Sequence, residues 1–257
     1  MINTYPIGIF DSGVGGTSIW REIHQLLPNE NTLYLADSKN APYGEKSIDE
    51  IISLSIKNTE KLLAYHAKII VVACNTATTN AIKILRDRYE VPFIGIEPAI
   101  KPAALQSVSK VIGVLATKGT LTSELFHETM LKFQEVKIIE QIGYGLVPLI
   151  ENGKIETVQM TDLLKKYLEP MIAQNIDHLV LGCSHYPYLI NKIKEILPPT
   201  VKIIDSGFAV AKQTANVLKK HDLLKNSKQS QQVFYTNVNP TILKSFVPGF
   251  EVQQLDF

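Results

Sequence analysis

Eight short runs of β-branched and aliphatic residues recur along the chain, each separated from the next by a stretch with helical spacing. This alternation restricts the possible folds more than any other feature. The runs are Ile7 to Phe10, Thr32 to Leu35, Lys68 to Ala73, Phe93 to Ile96, Lys110 to Leu115, Lys137 to Gln141, Leu179 to Gly182 and Lys202 to Ile204. Runs of this length and composition read as buried strands. Strand, helix, strand in repetition predicts an α/β fold of mainly parallel sheets flanked by helices. The clearest helix begins at Ser47-Ile-Asp-Glu50, a capping box, and continues as an amphipathic stretch to about His66.

A faint repeat divides the pattern in two. The segment from Ile7 aligns with that from Ile112 at an offset of 105 residues, Cys74 with Cys183 at 109, and Val91-Pro-Phe-Ile with Val201-Lys-Ile-Ile at 110. Two pseudo-symmetric α/β halves with a cleft between them are expected. The remaining C-terminal residues hold a helical Phe208 to Lys220 and a strand-like Gln232 to Tyr235, expected to return and complete the first half. The predicted division is residues 1–97 plus 208–257 against 98–207, with crossings near Pro98 and Gly207.

With 257 residues, 45% of them hydrophobic, the chain can bury substantial cores. The formal charge of +1 gives no general attraction for nucleic acid, and Lys219 to Lys228 reads as a solvated helix end and loop. No apolar run approaches the ~20 residues that span a bilayer, and the first residues lack a signal-peptide pattern. A cytoplasmic protein without membrane contact is expected, and a first strand beginning by Ile7 leaves no long N-terminal extension.

Cys74 and Cys183 are the only cysteines, and each closes an apolar run and opens a polar one. In open α/β sheets ligands collect beyond the carboxyl ends of the strands, so both thiols are placed at a ligand-binding rim. One thiol on each wall of a cleft can take a proton from one side of a carbon while the other returns one to the opposite side. A lone buried cysteine is ordinarily a small hydrophobe, but two in matching settings favour this two-base chemistry. A disulfide fits poorly with a cytosolic chain, and zinc fits poorly with no CxxC and only His185 close to either cysteine. No metal is expected, and no lysine-centred sign of pyridoxal chemistry stands out. A helix N-terminus after each cysteine is expected to favour the thiolate.

The loop Asp11-Ser12-Gly13-Val14-Gly15-Gly16 follows the first run. Its glycines let backbone approach a ligand, and its amides suit an anion such as a carboxylate. The spacing departs from GxGxxG and no GKS or GKT follows, which argues against a nucleotide. Asp11 either terminates a strand or takes part in proton traffic with a thiol.

Taken in order, Phe10-Asp11-Ser12-Gly13-Val14-Gly15-Gly16, Ala36-Asp37 with Pro42-Tyr43-Gly44, Ala73-Cys74-Asn75-Thr76-Ala77, Leu146-Val147-Pro148-Leu149-Ile150-Glu151 and Leu181-Gly182-Cys183-Ser184-His185-Tyr186-Pro187 resemble the motif series of the glutamate racemases across nearly the whole chain. One departure is Ser184, where that family commonly has Thr; the hydroxyl is retained. The resemblance implies cofactor-independent interconversion of L- and D-glutamate, with D-glutamate going to peptidoglycan, and a homodimer. It makes Cys74 and Cys183 the acid/base pair, Cys74 acting on the D-enantiomer and Cys183 on the L-enantiomer. Asp11 is then expected to support Cys74, and His185 with Glu151 to support Cys183. Substrate contacts are implied for Asp11, Ser12, Tyr43, Gly44, Asn75, Thr76, Ser184 and His185, with Thr117 and Thr120 added from the repeat loop. Racemisation of aspartate or a hydantoin, a decarboxylase of the same fold and a non-catalytic amino-acid-binding module are the alternatives.

Overall fold

Strand formation follows the apolar runs closely. In the computed structural model, which describes residues 2–225 and 227–257, the strands are β1 (Ile7–Asp11), β2 (Thr32–Ala36), β3 (Ile69–Val72), β4 (Phe93–Gly95), β5 (Val111–Ala116), β6 (Lys137–Ile142), β7 (His178–Gly182), β8 (Lys202–Ile204), β9 (Gln232–Thr236) and β10 (Val252–Gln254). The first nine begin and end within one residue of the apolar runs. β10 carries no such signal: it is three residues long, ends in two exposed glutamines and lies at a sheet edge, where one buried residue, Val252, suffices.

The strands form two parallel sheets, in the orders β10-β9-β2-β1-β3-β4 and β6-β5-β7-β8. Setting aside β9 and β10, the two orders are the same once β1 is matched with β5 and β3 with β7. The faint sequence repeat is thus a repeat of topology. β9 pairs with β2 in parallel, so the C-terminal segment does return to the first sheet.

The helices obey local chemistry. Ile48–Ala64 starts from the expected capping box, with Ser47 Oγ accepting from the Glu50 amide at 3.3 Å and Glu50 Oε2 accepting from the Ser47 amide at 3.0 Å. Asn75–Arg88 begins directly after Cys74, as expected. After Cys183 the expectation fails: a 3-10 turn, Tyr186–Leu189, precedes the short helix Ile190–Ile196. Pro187 has no N–H to continue a hydrogen-bonded helix begun upstream, so the α-helix starts beyond it. Lys219, Lys220 and Lys228 are exposed as expected, but Lys225 is half-buried. Its backbone amide donates to Glu30 Oε1 and its Nζ to Asn31 Oδ1, both at 2.7 Å. Met1, and Asn226 within this lysine-rich stretch, lie outside the described residues.

One apolar cluster runs from Ile9, Tyr34 and Val71 of the first sheet to Leu115, Leu179 and Leu181 of the second, so the sheets share a core. Separate clusters cover their outer faces. The two passages of chain between the sheets lie together, tied by Ser206 Oγ donating to the Glu97 carbonyl at 2.5 Å. Among the described residues no helix is long and apolar enough to cross a membrane.

Gly8, in the central strand β1, faces the end of helix Ile48–Ala64 so closely that a Cβ there would lie 2.8 Å from Ala67 Cβ and 3.2 Å from Leu62 Cβ. Gly8→Ala is expected to lower the unfolding free energy by about 1–3 kcal/mol through overpacking. Urea denaturation measures this, and an unchanged midpoint would show that the helix yields freely.

Candidate active site

Parallel strands bring their carboxyl ends to one side, and here the ends of both sheets face a common cleft. Asp11 ends β1, Cys74 lies two residues beyond β3, Thr117 follows β5 and Cys183 follows β7. Between them is a narrow space lined by ten of the thirteen residues singled out from the sequence: Ser12, Tyr43, Gly44, Cys74, Asn75, Thr76, Thr117, Cys183, Ser184 and His185. Pro42 and Val147 complete the lining. Both belong to the motifs quoted above, but as apolar wall residues they carried no chemical signal of their own. Asp11, Glu151 and Thr120 stand behind this first layer.

Both thiols are free and buried, and their surroundings differ. Cys74 caps helix Asn75–Arg88, its Sγ accepting from the Ala77 amide at 3.4 Å, while its S–H donates to Ser12 Oγ at 3.7 Å. Burial, reinforced by negative charge on Asp11, pushes this thiol well above the ordinary cysteine range and outweighs the helix-cap amide. Cys74 therefore rests as the protonated thiol.

Cys183 lacks a helix cap and instead faces a charged relay. His185 Nδ1 lies 3.7 Å from Cys183 Sγ, and His185 Nε2 is 2.6 Å from Glu151 Oε1. Burial would push the imidazole down. Its hydrogen bonds to Cys183 and Glu151, with the charges of Cys183 and Asp11, prevail and hold it well above 6.5. His185 is an imidazolium at neutral pH, donating to the Glu151 carboxylate.

The glycine loop does bind a carboxylate, but one belonging to the protein. Glu151, at the end of helix Leu146–Glu151, accepts from the Val14 amide at 2.7 Å through Oε1 and from Ser38 Oγ at 2.9 Å through Oε2. A Cβ on Gly13 would come within 1.9 Å of Glu151 Oε1, and one on Gly15 within 2.3 Å of His185 Nδ1. Both glycines are there because the relay presses against their backbone.

Asp11 ends β1, as expected, and its carboxylate has hydrogen-bond partners of its own. Rather than hydrogen-bonding Cys74, its Oδ2 accepts from the Gly13 and Gly16 amides at 3.2 and 2.9 Å, and its Oδ1 accepts from Ser184 Oγ at 3.0 Å. It touches the Cys183 wall and reaches Cys74 through its charge. Burial raises its carboxyl, opposed by the charge of His185. Tyr43 lines the cavity, but its hydroxyl donates to Asp37 Oδ2 at 2.5 Å and accepts from Asn58 Nδ2 at 3.0 Å, so it is spent inside the fold. What Tyr43 and Gly44 offer the cavity is wall and backbone.

On the opposite side Thr76 Oγ1 lies 2.8 Å from Thr117 Oγ1 and 3.3 Å from Thr120 Oγ1, with 3.0 Å between the last two, a ring of hydroxyls joining the halves. Asn75 is 2% exposed, and neither end of its side-chain amide has a partner among the described residues. Leaving such groups unpaired is costly, so they mark a surface shaped for a polar ligand. The cavity thus offers two thiols from opposite walls, one protonated and one beside an imidazolium, with amide and hydroxyl donors between them.

The family model for Asp/Glu/Hydantoin racemase matches residues 7–214. The chain is 49% identical over 221 residues to a glutamate racemase of Ectopseudomonas mendocina, covering 85% of this chain and 84% of that one. Among solved structures it resembles glutamate racemase isoform RacE1 of Bacillus anthracis, with a TM-score of 0.88, 30% identity and coverage of 98% and 97%. It also resembles the Escherichia coli glutamate racemase in complex with L-glutamate and the activator UDP-MurNAc-ala, with a TM-score of 0.86, 33% identity and coverage of 98% of both chains.

Because His185 is held above 6.5 in the folded chain, its pairing with Glu151 stabilises the fold fully below that value and loses its effect as pH rises through the folded value. Urea unfolding of the parent and of His185→Asn is expected to show a stability gap that is wide on the acid side of neutrality and narrows in alkali. A gap independent of pH would mean that folding leaves the titration of the imidazole unchanged.

Proposed function

The chain belongs to the Asp/Glu/Hydantoin racemase family, and on that premise we propose that it interconverts L- and D-glutamate with Cys74 and Cys183 as its two bases. The observation that carries this reading is the single cavity in which two buried thiols from different sheets meet, one held as a thiol and the other beside an imidazolium. Glutamate is favoured over aspartate or a hydantoin by the relatives, which are named glutamate racemases along most of their length.

With L-glutamate bound, Cys183 as thiolate removes the α-proton and the Cys74 thiol delivers its own proton to the opposite face. The proton count balances, with Cys183 left as thiol and Cys74 as thiolate, and the D-enantiomer runs the same steps backwards. Each turnover exchanges the protonation states of the two sulfurs. The Glu151–His185 relay tunes the Cys183 wall, while Asp11 braces Ser184 and biases Cys74 toward its thiol. Charge developing on the α-carboxylate during proton removal needs donors already in place, each worth ~3 kcal/mol in a dry site. We assign these contacts to Ser12, the backbone of Tyr43 and Gly44, Asn75, Thr76, Thr117, Ser184 and His185, with Thr120 behind them holding the hydroxyls of Thr76 and Thr117. No cofactor is part of the scheme. A domain of residues 1–97 plus 208–257, a second of 98–207, a homodimer, a cytoplasmic location and supply of D-glutamate to peptidoglycan complete the proposal.

Purified protein given either glutamate enantiomer is expected to bring its circular dichroism to zero, with no pyridoxal phosphate and no effect of chelator. In deuterated water the α-position should acquire deuterium. Binding without exchange would leave a binding module, faster turnover of aspartate would change the substrate, and dependence on pyridoxal phosphate would end the two-thiol scheme.

A second test separates the thiols. Cys74→Ser and Cys183→Ser are each expected to abolish racemisation nearly completely, because a hydroxyl is a far weaker base than a thiolate. A glutamate analogue bearing chloride at the β-carbon needs one base only: the α-proton leaves to sulfur, its electron pair forms the α–β double bond, and chloride departs. Hydrolysis of the resulting enamine gives 2-oxoglutarate and ammonium. Cys183→Ser should process the D-analogue and Cys74→Ser the L-analogue. Comparable elimination of both enantiomers by either variant would show that one base reaches both faces.

A further inference from the structure

Glu151 Oε1 serves both Val14 and His185, whereas among the described residues Ser38 Oγ is the one hydrogen-bond partner of Oε2. Ser38 follows β2 of the first sheet, while Glu151 and His185 belong to segments that follow β6 and β7 of the second. The hydroxyl therefore reaches across the cleft. Its position is well anchored: the neighbouring Lys39 amide donates to Asn237 Oδ1 at 2.9 Å, and Asn40 Nδ2 donates to Asp37 Oδ1 at 2.7 Å.

We propose that Ser38 is a positioning residue for the Cys183 wall: by holding Glu151 Oε2 it fixes the plane of the carboxylate, so that Oε1 grips His185 Nε2 and the ring aims Nδ1 at Cys183 Sγ. The physical reason lies in the last torsion of glutamate, which is broad and roughly two-fold, so a carboxylate held through one oxygen alone swings easily. Two oxygens held from different directions define the plane. The Val14 amide cannot do this alone, because it shares Oε1 with the imidazole. The side chain of Glu151 is 11% exposed, so water can replace part of a lost hydroxyl but cannot reproduce its fixed direction. The titratable groups facing His185 are Cys183, Glu151 and Asp11, and Ser38 touches Glu151 alone among them.

The inference rests on the two-thiol reading for its catalytic part, and two readouts keep the failures apart. Overall racemisation cannot display a bias toward one wall, since the ratio of kcat/KM values in the two directions is fixed by the equilibrium between enantiomers. Elimination from the β-chloro analogue can. Ser38→Ala is expected to slow elimination from the L-analogue roughly five- to twentyfold, in keeping with loss of a hydrogen bond to a charged group, and to leave the D-analogue within about twofold. Ser38→Thr, which keeps the hydroxyl, should restore the parent rate. In ¹⁵N-labelled protein without substrate, the His185 imidazole should titrate lower in Ser38→Ala than in the parent, and Ser38→Thr should match the parent. The NMR measurement stands even if the chain racemises nothing, so it separates failure of this inference from failure of the racemase reading. Equal slowing of both enantiomers, or an unchanged His185 titration, overturns the proposal. Should Ser38→Ala fail to fold, Ser38→Cys, with its weak donor, takes its place under the same criteria.

Discussion

The site is organised by an anion taken out of water and given protein partners. Glu151 crosses from the second sheet's side of the cleft into the glycine loop of the first, where an amide, a hydroxyl and an imidazolium surround its carboxylate. A buried charge is tolerated only when so paired. The identity of the loop follows from this, because any side chain at Gly13 would occupy the space of the carboxylate. The same contact, together with the hydrogen bond to Cys183, holds His185 cationic and brings the halves together at the point where the second thiol sits. A turn that resembles an anion-binding loop for an outside ligand is thus satisfied from within.

Pseudo-symmetry of the backbone has not produced symmetry of chemistry. β3 and β7 occupy equivalent places in their sheets and each leads to a cysteine. Beyond the first, a regular helix begins at once and its cap amide meets the sulfur. Beyond the second, Pro187 delays the helix and the intervening turn presents His185 instead. One thiol is thereby governed by burial and a nearby carboxylate, the other by a hydrogen-bonded cation. In the proposed scheme, where the two sulfurs alternate between thiol and thiolate, environments that already differ suit the exchange.

Much of this was legible in the chain. β1, β2, β3 and β7 are buried along their whole length and announce themselves as apolar runs, the more exposed β6 and β8 keep enough isoleucine to be located, and the capping box at Ser47 marked its helix through side chains alone. The cavity residues were legible because chemically active types stood at strand ends, and the resemblance between motif series ordered them. What escaped was whatever depends on partners distant in sequence. Asp11 bonds Ser184, 173 residues away, a pairing that no local pattern encodes. The hydroxyl of Tyr43 is held by Asp37 and Asn58, pairings that its motif does not announce. Ser38 drew no notice because a serine after a strand is ordinary, and its importance comes from Glu151, 113 positions later. β10 was missed since one buried valine makes no pattern.

The return of the C-terminal segment to the first sheet bears on how the chain is made as well as on how it stands. β2 is buried along all five residues, yet its partner β9 lies 200 positions further on and comes only after the whole second sheet. During synthesis on a ribosome, β1, β3 and β4 can assemble around β2 early, leaving one side of an apolar strand with its peptide groups unpaired. An open edge of this kind is a template for pairing with other chains. Until residues 232–236 emerge, the nascent protein carries an adhesive border that the finished one conceals, and chaperone capture during translation has a defined stretch of backbone to protect.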